Sequence, residues 1–376
     1  MKEVFITRVS GFLPNDPIGN DEMESYLGFI NGAPSRARHI VLRNNGIKCR
    51  YYALDRNRRL THTNAELAFE AVKGLTGGGL GLEDMEVLAC GTSAPDQFLP
   101  SHASQVHGLM PRAMEIMSPS GACCAGMQAL KYAHMSVASG NSRNAVATGS
   151  ELISPMMMAE NFQLEAERIS HLEKNPMIAF EKEFLRWMLS DGAGAAFLES
   201  EPRGECDLQV EWVVSRSFAN ELEACMYFGG EKEEGGRFRG WKTYDAAELA
   251  PHAIMSMKQD TRLLGRHMVP FAVAWLKEVI EQKGLDMRTV QHFLPHLSSM
   301  YFRAPIQSEL VRQGIQVDDD RWFLNLTEVG NIGSASIYLM LRDLISAGKV
   351  KKGDRVLLMV PESARFSLSF ALLKAI

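Results

Sequence analysis

The sequence predicts an α/β fold made of two similar halves, and three observations carry that reading. Apolar runs of strand length alternate with segments of helical period along most of the chain. In the first half, a helix opening after Ser120-Gly121-Ala122 closes at Ser139-Gly140 and leads to a strand at 144–149 and then Ser150-Glu151. In the second half, Gly330-Asn331-Ile332-Gly333-Ser334-Ala335-Ser336 opens a helix that closes at Ala347-Gly348. It leads to a strand at 355–360 and then Glu362-Ser363. Each half thus has a small-residue turn and a buried helix start in the same relative place. Duplication brings the two helix ends together around a pseudo-twofold axis. A chance recurrence of a common helix–strand unit is the competing explanation. The expected halves are residues 1–200 and 201–376.

Composition sets the outer limits. The chain has 376 residues, 46% apolar and 23% charged, which is ample for a large core and leaves no low-complexity tract. A net charge of −5 argues against a nucleic-acid binder. No apolar run reaches the length of a membrane span, and the first residues, MKEVFITRVSGFLP, alternate like a strand and do not resemble a signal peptide. The six cysteines are scattered without a CxxC pair or a histidine at metal spacing. That pattern predicts neither a metal site nor a disulfide framework, and it fits a reducing cytoplasm.

Taken in order, residues 4–13 form a strand ending at Pro14, and Asn20-Asp21-Glu22 opens a helix. Residues 31–60 are polar and basic, with a turn at Asn44-Asn45-Gly46. Residues 64–74 form an amphipathic helix entered through Thr63, and 85–91 a buried strand followed by the loop TSAPDQFLPS. A helix follows at 101–110. Residues 155–188 read as a long helical tract whose Met156, Met157 and Met158 either pack or line a greasy pocket. Asp191-Gly192-Ala193-Gly194 turns into another strand. It lacks the GKS/T sequel of a phosphate loop. Residues 229–240 are a charged, glycine-rich and exposed insertion.

The stretch 118–132, SPSGACCAGMQALKY, is the chemical centre. Cys123 and Cys124 stand at the start of a helix apolar on nearly every face. There, unpaired N–H groups and the helix dipole favour thiolate over thiol. They are either nucleophiles or merely small core residues. Of ten histidines, His296 has the most telling setting, at a strand end where Phe293-Leu294 breaks at Pro295. Cysteine, histidine and asparagine together suit acyl chemistry: the sulfur carries a thioester, and neutral His and Asn side chains stabilise an oxyanion or enolate. Papain-like proteolysis uses the same residue types, but its CG[SA]C[WY] signature is absent.

From end to end the chain resembles the β-ketoacyl-acyl carrier protein synthase III-type enzymes of the thiolase superfamily. The segments TRVSGFLP, HIVLRNNGIKCRYYA, GTSAPDQFLPS, ACCAGMQAL, GSE, DGAGAAFL, LPH and EVGNIGSAS carry the likeness in order. It implies a thiolase-like five-layered αβαβα fold, a homodimer and Claisen condensation without a cofactor. Acyl groups arrive as phosphopantetheine thioesters on acyl carrier protein or CoA. By its place before Ala-Gly, Cys124 matches the family nucleophile, His296 the histidine and Asn331 the asparagine. The oxyanion hole falls to the backbone N–H groups of Cys124 and Ala364. Glu362-Ser363-Ala364-Arg365-Phe366 replaces the family's glycine cluster there.

The resemblance also implies that Phe98 and Leu99 cross the dimer to close the partner's acyl tunnel, with Met156 and Met157 along it. Of the CoA-gripping side chains only Arg43 is retained; His39 and Pro155 stand at or near the others, which favours a carrier-borne acyl chain. Arg43, Lys48, Arg50 and Arg303 are candidate docking residues for an acidic carrier protein. The phrase LRNNGIKCRYYALD most resembles the ketosynthases of dialkylresorcinol and flexirubin-type pigment pathways. These join a β-ketoacyl thioester to a second acyl thioester and cyclise the product, and Asp96 is a candidate extra base for them. The alternatives are an ordinary synthase giving a linear 3-oxoacyl product, an acyltransferase making an ester or amide, and a non-catalytic partner subunit.

Overall fold

A computed structural model describes residues 2–35, 38–162, 184–204, 206–252 and 254–376. Most of the tract expected at 155–188 therefore lies outside the described residues.

The first half supplies strands β1 (Phe5–Phe12), β2 (Val87–Gly91), β3 (Glu115–Met117), β4 (Asn144–Glu151) and β5 (Gly192–Glu199). The second supplies β6 (Leu208–Ser217), β7 (His292–Pro295), β8 (Arg355–Glu362) and β9 (Ser367–Ala375). All nine join one mixed sheet in the order β7-β8-β9-β6-β1-β5-β4-β2-β3. From the centre outward, β1-β5-β4-β2-β3 pair antiparallel, antiparallel, parallel, parallel. From the same centre, β6-β9-β8-β7 pair antiparallel, antiparallel, parallel, and a parallel bridge from Phe293 to Trp322 stands where the fifth strand belongs. The second half repeats the pairing pattern of the first.

Seven helices matter for the site: α1 (Arg38–Asn45), α2 (Asn64–Lys73), α3 (His102–His107), α4 (Cys124–Ser139), α5 (Thr261–Lys283), α6 (Arg303–Arg312) and α7 (Ser336–Ser346). Period-two alternation shows how they are layered. In β2, Val87 and Ala89 face a core shared with α4 and α7, whereas Leu88 and Cys90 face a core shared with α2 and α3. In β8, Val356, Leu358 and Val360 face the α4–α7 core, whereas Leu357 and Met359 join a third core with α5 and α6. Helices α4 and α7 therefore lie between the two halves of the sheet, and the other helices cover the outer faces. This is the expected five-layered α/β arrangement.

The inner helices approach closely because two glycines allow it. A Cβ on Gly126 or on Gly149 would lie 2.2 Å from the carbonyl oxygen of Ser334. Tyr338 reaches across to donate its hydroxyl to Gly126 O at 2.7 Å. The two helix starts are thereby fixed against each other, and the site is built there.

Several element bounds follow local chemistry. Helix α2 begins at the expected place because Thr63 and Glu66 form a reciprocal capping box, worth about 1 kcal/mol. The polar 31–60 region conceals α1, whose side chains are mostly exposed and show no strong apolar stripe. Helix α5 keeps Pro270 inside it and buries Leu264, Met268, Ala272 and Leu276 against the outer core.

Candidate active site

The starts of α4 and α7, the end of β4 and the residue after β7 converge on one cleft. It holds about 830 Å³ of space between atoms, its open mouth included. Ser93, Cys123, Glu151, Gln259, His296, Ser298, Asn331 and Ser363 supply its polar side chains. Its apolar wall is rich in methionine: Met188, Met226, Met257, Met268 and Met359. Thioether side chains adapt to acyl chains of varied shape.

His296 continues the β7–β8 ladder one residue past Pro295, its N–H donating to Met359 O at 2.8 Å. The side chain is 3% exposed, and its Nε2 has no partner among the described residues. Burial pushes its pKa down to about 4, so the imidazole is neutral near pH 7. A neutral ring can donate from one nitrogen to a developing negative charge.

Asn331 is held by a short parallel bridge with Leu189. Its N–H donates to Met188 O at 3.0 Å, and its carbonyl accepts from Ser190 N at 2.9 Å. Gly330 before it adopts φ +75°, where a side chain would strike Ser190. The side-chain Oδ1 accepts from Gly333 N at 3.0 Å. That bond orients the amide and leaves Nδ2 as its donor end.

The structure places the two cysteines differently. Cys123, half-buried, lines the cleft with His296 and Asn331. Cys124 is fully buried in the α4–α7 core, its Sγ donating to Val360 O at 3.3 Å. One residue along a helix turns the side chain by about 100°, which separates the two sulfurs. The motif position before Ala-Gly is that of Cys124, whereas the residue lining the cleft is Cys123.

The expected thiolate character is also reversed. Oε2 of Glu362, the last residue of β8, accepts from Ala122 N and Cys124 N, each at 2.9 Å. The Cys124 N–H expected in the oxyanion hole is therefore already engaged. Burial, then the charges of Glu362 and Glu151, push the Cys123 thiol well above its ordinary range; contact with its own backbone N–H acts the other way. Ala364 does not line the cleft, and its carbonyl accepts from Cys225 N at 2.9 Å.

Glu151, not singled out as a site residue in the sequence, is 1% exposed and ends β4. It accepts from Ser334 N at 3.0 Å and from the N–H and hydroxyl of Ser93. Burial raises its pKa to about 7, against those hydrogen bonds. Asp96 instead lies outside the cleft. Its two oxygens accept from Asn64 N at 2.8 Å and Ala65 N at 3.0 Å, so it closes the start of α2.

The remaining candidates divide. Met157 is 1% exposed inside the outer core and Met156 packs against that core; neither lines the cleft. Phe98 is 66% exposed and stacks on Trp241, and Leu99 is 85% exposed; neither reaches this chain's own cleft. Arg50 is a correction: it is fully buried, with its guanidinium on Asn20 Oδ1 at 2.6 Å and Trp187 O at 3.2 Å. Arg303 pairs with Asp319 at 2.7 Å and lies over Trp322, and exposed Lys48 pairs with Glu328 at 3.6 Å. Arg43 is exposed near the end of α1, and Gly46 just beyond that end packs on Met300 beside the cleft's Ser298 and Phe302. Among the described residues no cluster fit to hold a metal occurs, and no helix is long and apolar enough to cross a membrane.

Residues 280–361, which include His296 and Asn331, match the family described as 3-oxoacyl-[acyl-carrier-protein (ACP)] synthase III C terminal. Among solved structures, the β-ketoacyl-[acyl carrier protein] synthase III of Thermus thermophilus superposes with a TM-score of 0.71 at 21% identity. The match covers 98% of each chain. The fold is that of the β-ketoacyl-acyl carrier protein synthase III enzymes. AbyA1, a tetronic acid condensing enzyme, shares it with a TM-score of 0.77 at 20% identity, over 99% of this chain and all of that one. In sequence, the β-ketoacyl-[acyl-carrier-protein] synthase III of Clostridium perfringens is 23% identical over 354 residues, 93% of this chain and 92% of that protein.

Proposed function

We propose that the protein is a condensing enzyme of the β-ketoacyl-acyl carrier protein synthase III type, with Cys123 as the acyl-bearing sulfur. The observation that carries this reading is the convergence of Cys123, His296 and Asn331, from both halves, on one methionine-lined cleft. In the first step the Cys123 sulfur attacks an acyl thioester, and the carrier's pantetheine thiol leaves. Neutral His296 and the Asn331 amide then polarise the second thioester and stabilise its enolate. The enolate carbon attacks the Cys123 thioester, forms the C–C bond and releases the sulfur.

The nature of the nucleophile distinguishes the finer readings. A malonyl thioester generates its enolate by losing CO2, whereas a β-ketoacyl thioester must lose a proton to a base. With Asp96 committed to α2, Glu151 is the cleft carboxylate suited to that task, with its pKa raised to about 7 by burial. This favours a β-ketoacyl nucleophile and cyclisation to a dialkylcyclohexanedione, the dialkylresorcinol precursor, over a linear 3-oxoacyl product. We place acyl carrier protein as donor and a second copy of the chain as the source of the Phe98–Leu99 gate.

The test is to incubate the protein with acyl carrier protein loaded with an acyl, a β-ketoacyl or a malonyl group. Intact-mass and peptide mapping are expected to place the acyl group on Cys123, and product mass to show a cyclised diketone. An ester or amide product, or no acyl-enzyme with any donor, overturns the condensing reading. A linear ketoacyl product from malonyl donor alone overturns only the cyclising one.

A further inference from the structure

The Glu362-Ser363-Ala364-Arg365-Phe366 segment, read only as a replacement for a glycine cluster, has a definite place in the site. Glu362 is 6% exposed, and one of its oxygens bonds the backbone N–H groups on both sides of Cys123, at 2.9 Å each. A helix start carries roughly half a positive charge in its unpaired N–H groups. Burial raises the Glu362 carboxyl above its ordinary range, against these two hydrogen bonds; in its ionised form it outweighs the half charge and leaves the neighbourhood of the sulfur net negative. Groups facing Cys123 do not restore the balance: they are Glu362 on β8, Glu151 on β4, the buried thiol of Cys124 and neutral His296. No lysine or arginine lines the cleft among the described residues.

We propose that Glu362 is a positioning residue for Cys123: its carboxylate takes the backbone donors of Ala122 and Cys124, so that the positive end of α4 serves a fixed anion and the sulfur rests as a thiol. The free enzyme is then slow toward electrophiles at neutral pH. Loading requires that the thiol proton leave as the acyl donor arrives, and Glu151, across the cleft, is the ionisable group available to take it. In that transfer the S–H bond breaks and an O–H bond forms on Glu151. The sulfur's electron pair attacks the thioester carbon, the carbon–sulfur bond to pantetheine breaks, and the departing sulfur takes the proton back from Glu151. The inference rests on Cys123 being the reactive sulfur, but alkylation needs no acyl donor and so decides it separately from the condensing reading.

The experiment is the rate of iodoacetamide labelling at Cys123 against pH, located by peptide mapping because Cys49 and Cys206 are also partly exposed. Wild type is expected to show an inflection above the ordinary cysteine value of about 8.5. Glu362→Gln keeps an oxygen acceptor for the two N–H groups but removes the charge. It is expected to move the inflection at least one unit toward acid and speed labelling about tenfold at pH 7. A profile for Glu362→Gln that superposes on wild type, in protein with an unchanged circular dichroism spectrum, overturns the proposal. So does a wild-type inflection below about 7, which needs no variant at all.

Discussion

The two inner helix starts answer each other across the pseudo-twofold axis, and their difference locates the chemistry. At the start of α4, Glu362 from the end of β8 accepts two backbone N–H groups. Before α7, Glu151 from the end of β4 accepts the N–H of Ser334. Each strand-end glutamate thus serves the helix of the other half, as a duplicated unit allows. The environments then diverge. Glu362 gives its Oε2 to the helix beside Cys123, away from the cleft, whereas Glu151 faces the cleft and shares its oxygens with Ser93. One start carries the Cys123 sulfur beside the Glu362 carboxyl; the other carries the Asn331 amide beside the Glu151 carboxyl.

The largest test of this asymmetry is at the cysteine pair. Cys123→Ala is expected to abolish the acyl-enzyme and reduce turnover by at least about a thousandfold. Cys124→Ala empties a sulfur-sized space in the inner core, costs about 1–2 kcal/mol in denaturant unfolding and leaves Cys123 loading intact. Peptide mapping that finds the acyl group on Cys124 would break the comparison at its root. Next in size, His296→Ala and Asn331→Ala are each expected to slow condensation about 10²–10³-fold while the acyl-enzyme still accumulates. If loading and condensation fall together in rapid-quench measurements, these side chains serve the first step as well.

Opposite pH signatures sharpen the contrast further. Glu151, raised to about 7 from 4.5, binds its proton more tightly folded than unfolded. It contributes stability that is full below about pH 4.5 and lost as pH rises to about 7, by at most about 3 kcal/mol. His296, lowered to about 4 from 6.5, contributes in the reverse sense. Its share is present above about pH 6.5 and lost as pH falls through 4. Urea unfolding from pH 4 to 8 should therefore lose a falling component in Glu151→Gln. An unchanged profile means that this carboxyl titrates elsewhere.

Much of this arrangement was legible because the two halves repeat the same order of turn, helix, strand and glutamate. The small-residue turns before α4 and α7, the strands after them and the trailing glutamates could be aligned without a structure; His296 was found from the apolar run ending at Pro295, although the ladder continues through that proline to His296. What failed depended on rotation and burial. Whether Cys123 or Cys124 faces the cleft turns on about 100° of helix rotation, which a Cys-Cys pair on an all-apolar helix does not reveal. Arg50 looked like surface charge, but Asn20 and the Trp187 carbonyl make its burial tolerable. Asp96, a candidate extra base by resemblance, accepts the first N–H groups of α2, a role that its place in a loop did not reveal in the sequence. The methionine wall is assembled from segments far apart in sequence, so no local pattern marked it.

The smallest expected effect concerns the surface. Of the four basic candidates, Arg50 is buried, while Arg303 and Lys48 are paired with Asp319 and Glu328. Arg43 is exposed on the helix that ends just before Gly46, which meets Met300, a neighbour in sequence of the cleft residues Ser298 and Phe302. An exposed charge at an interface rim acts mainly on encounter with the partner and is screened by salt. Arg43→Glu is therefore expected to raise the KM for carrier-borne donor about three- to tenfold, with most of the difference gone in 0.5 M salt. Loading of Cys123 from a small soluble thioester should not change, because that donor has no acidic surface to steer. An equal loss with both donors would place Arg43 in the fold and not in docking, and would move the entrance away from α1.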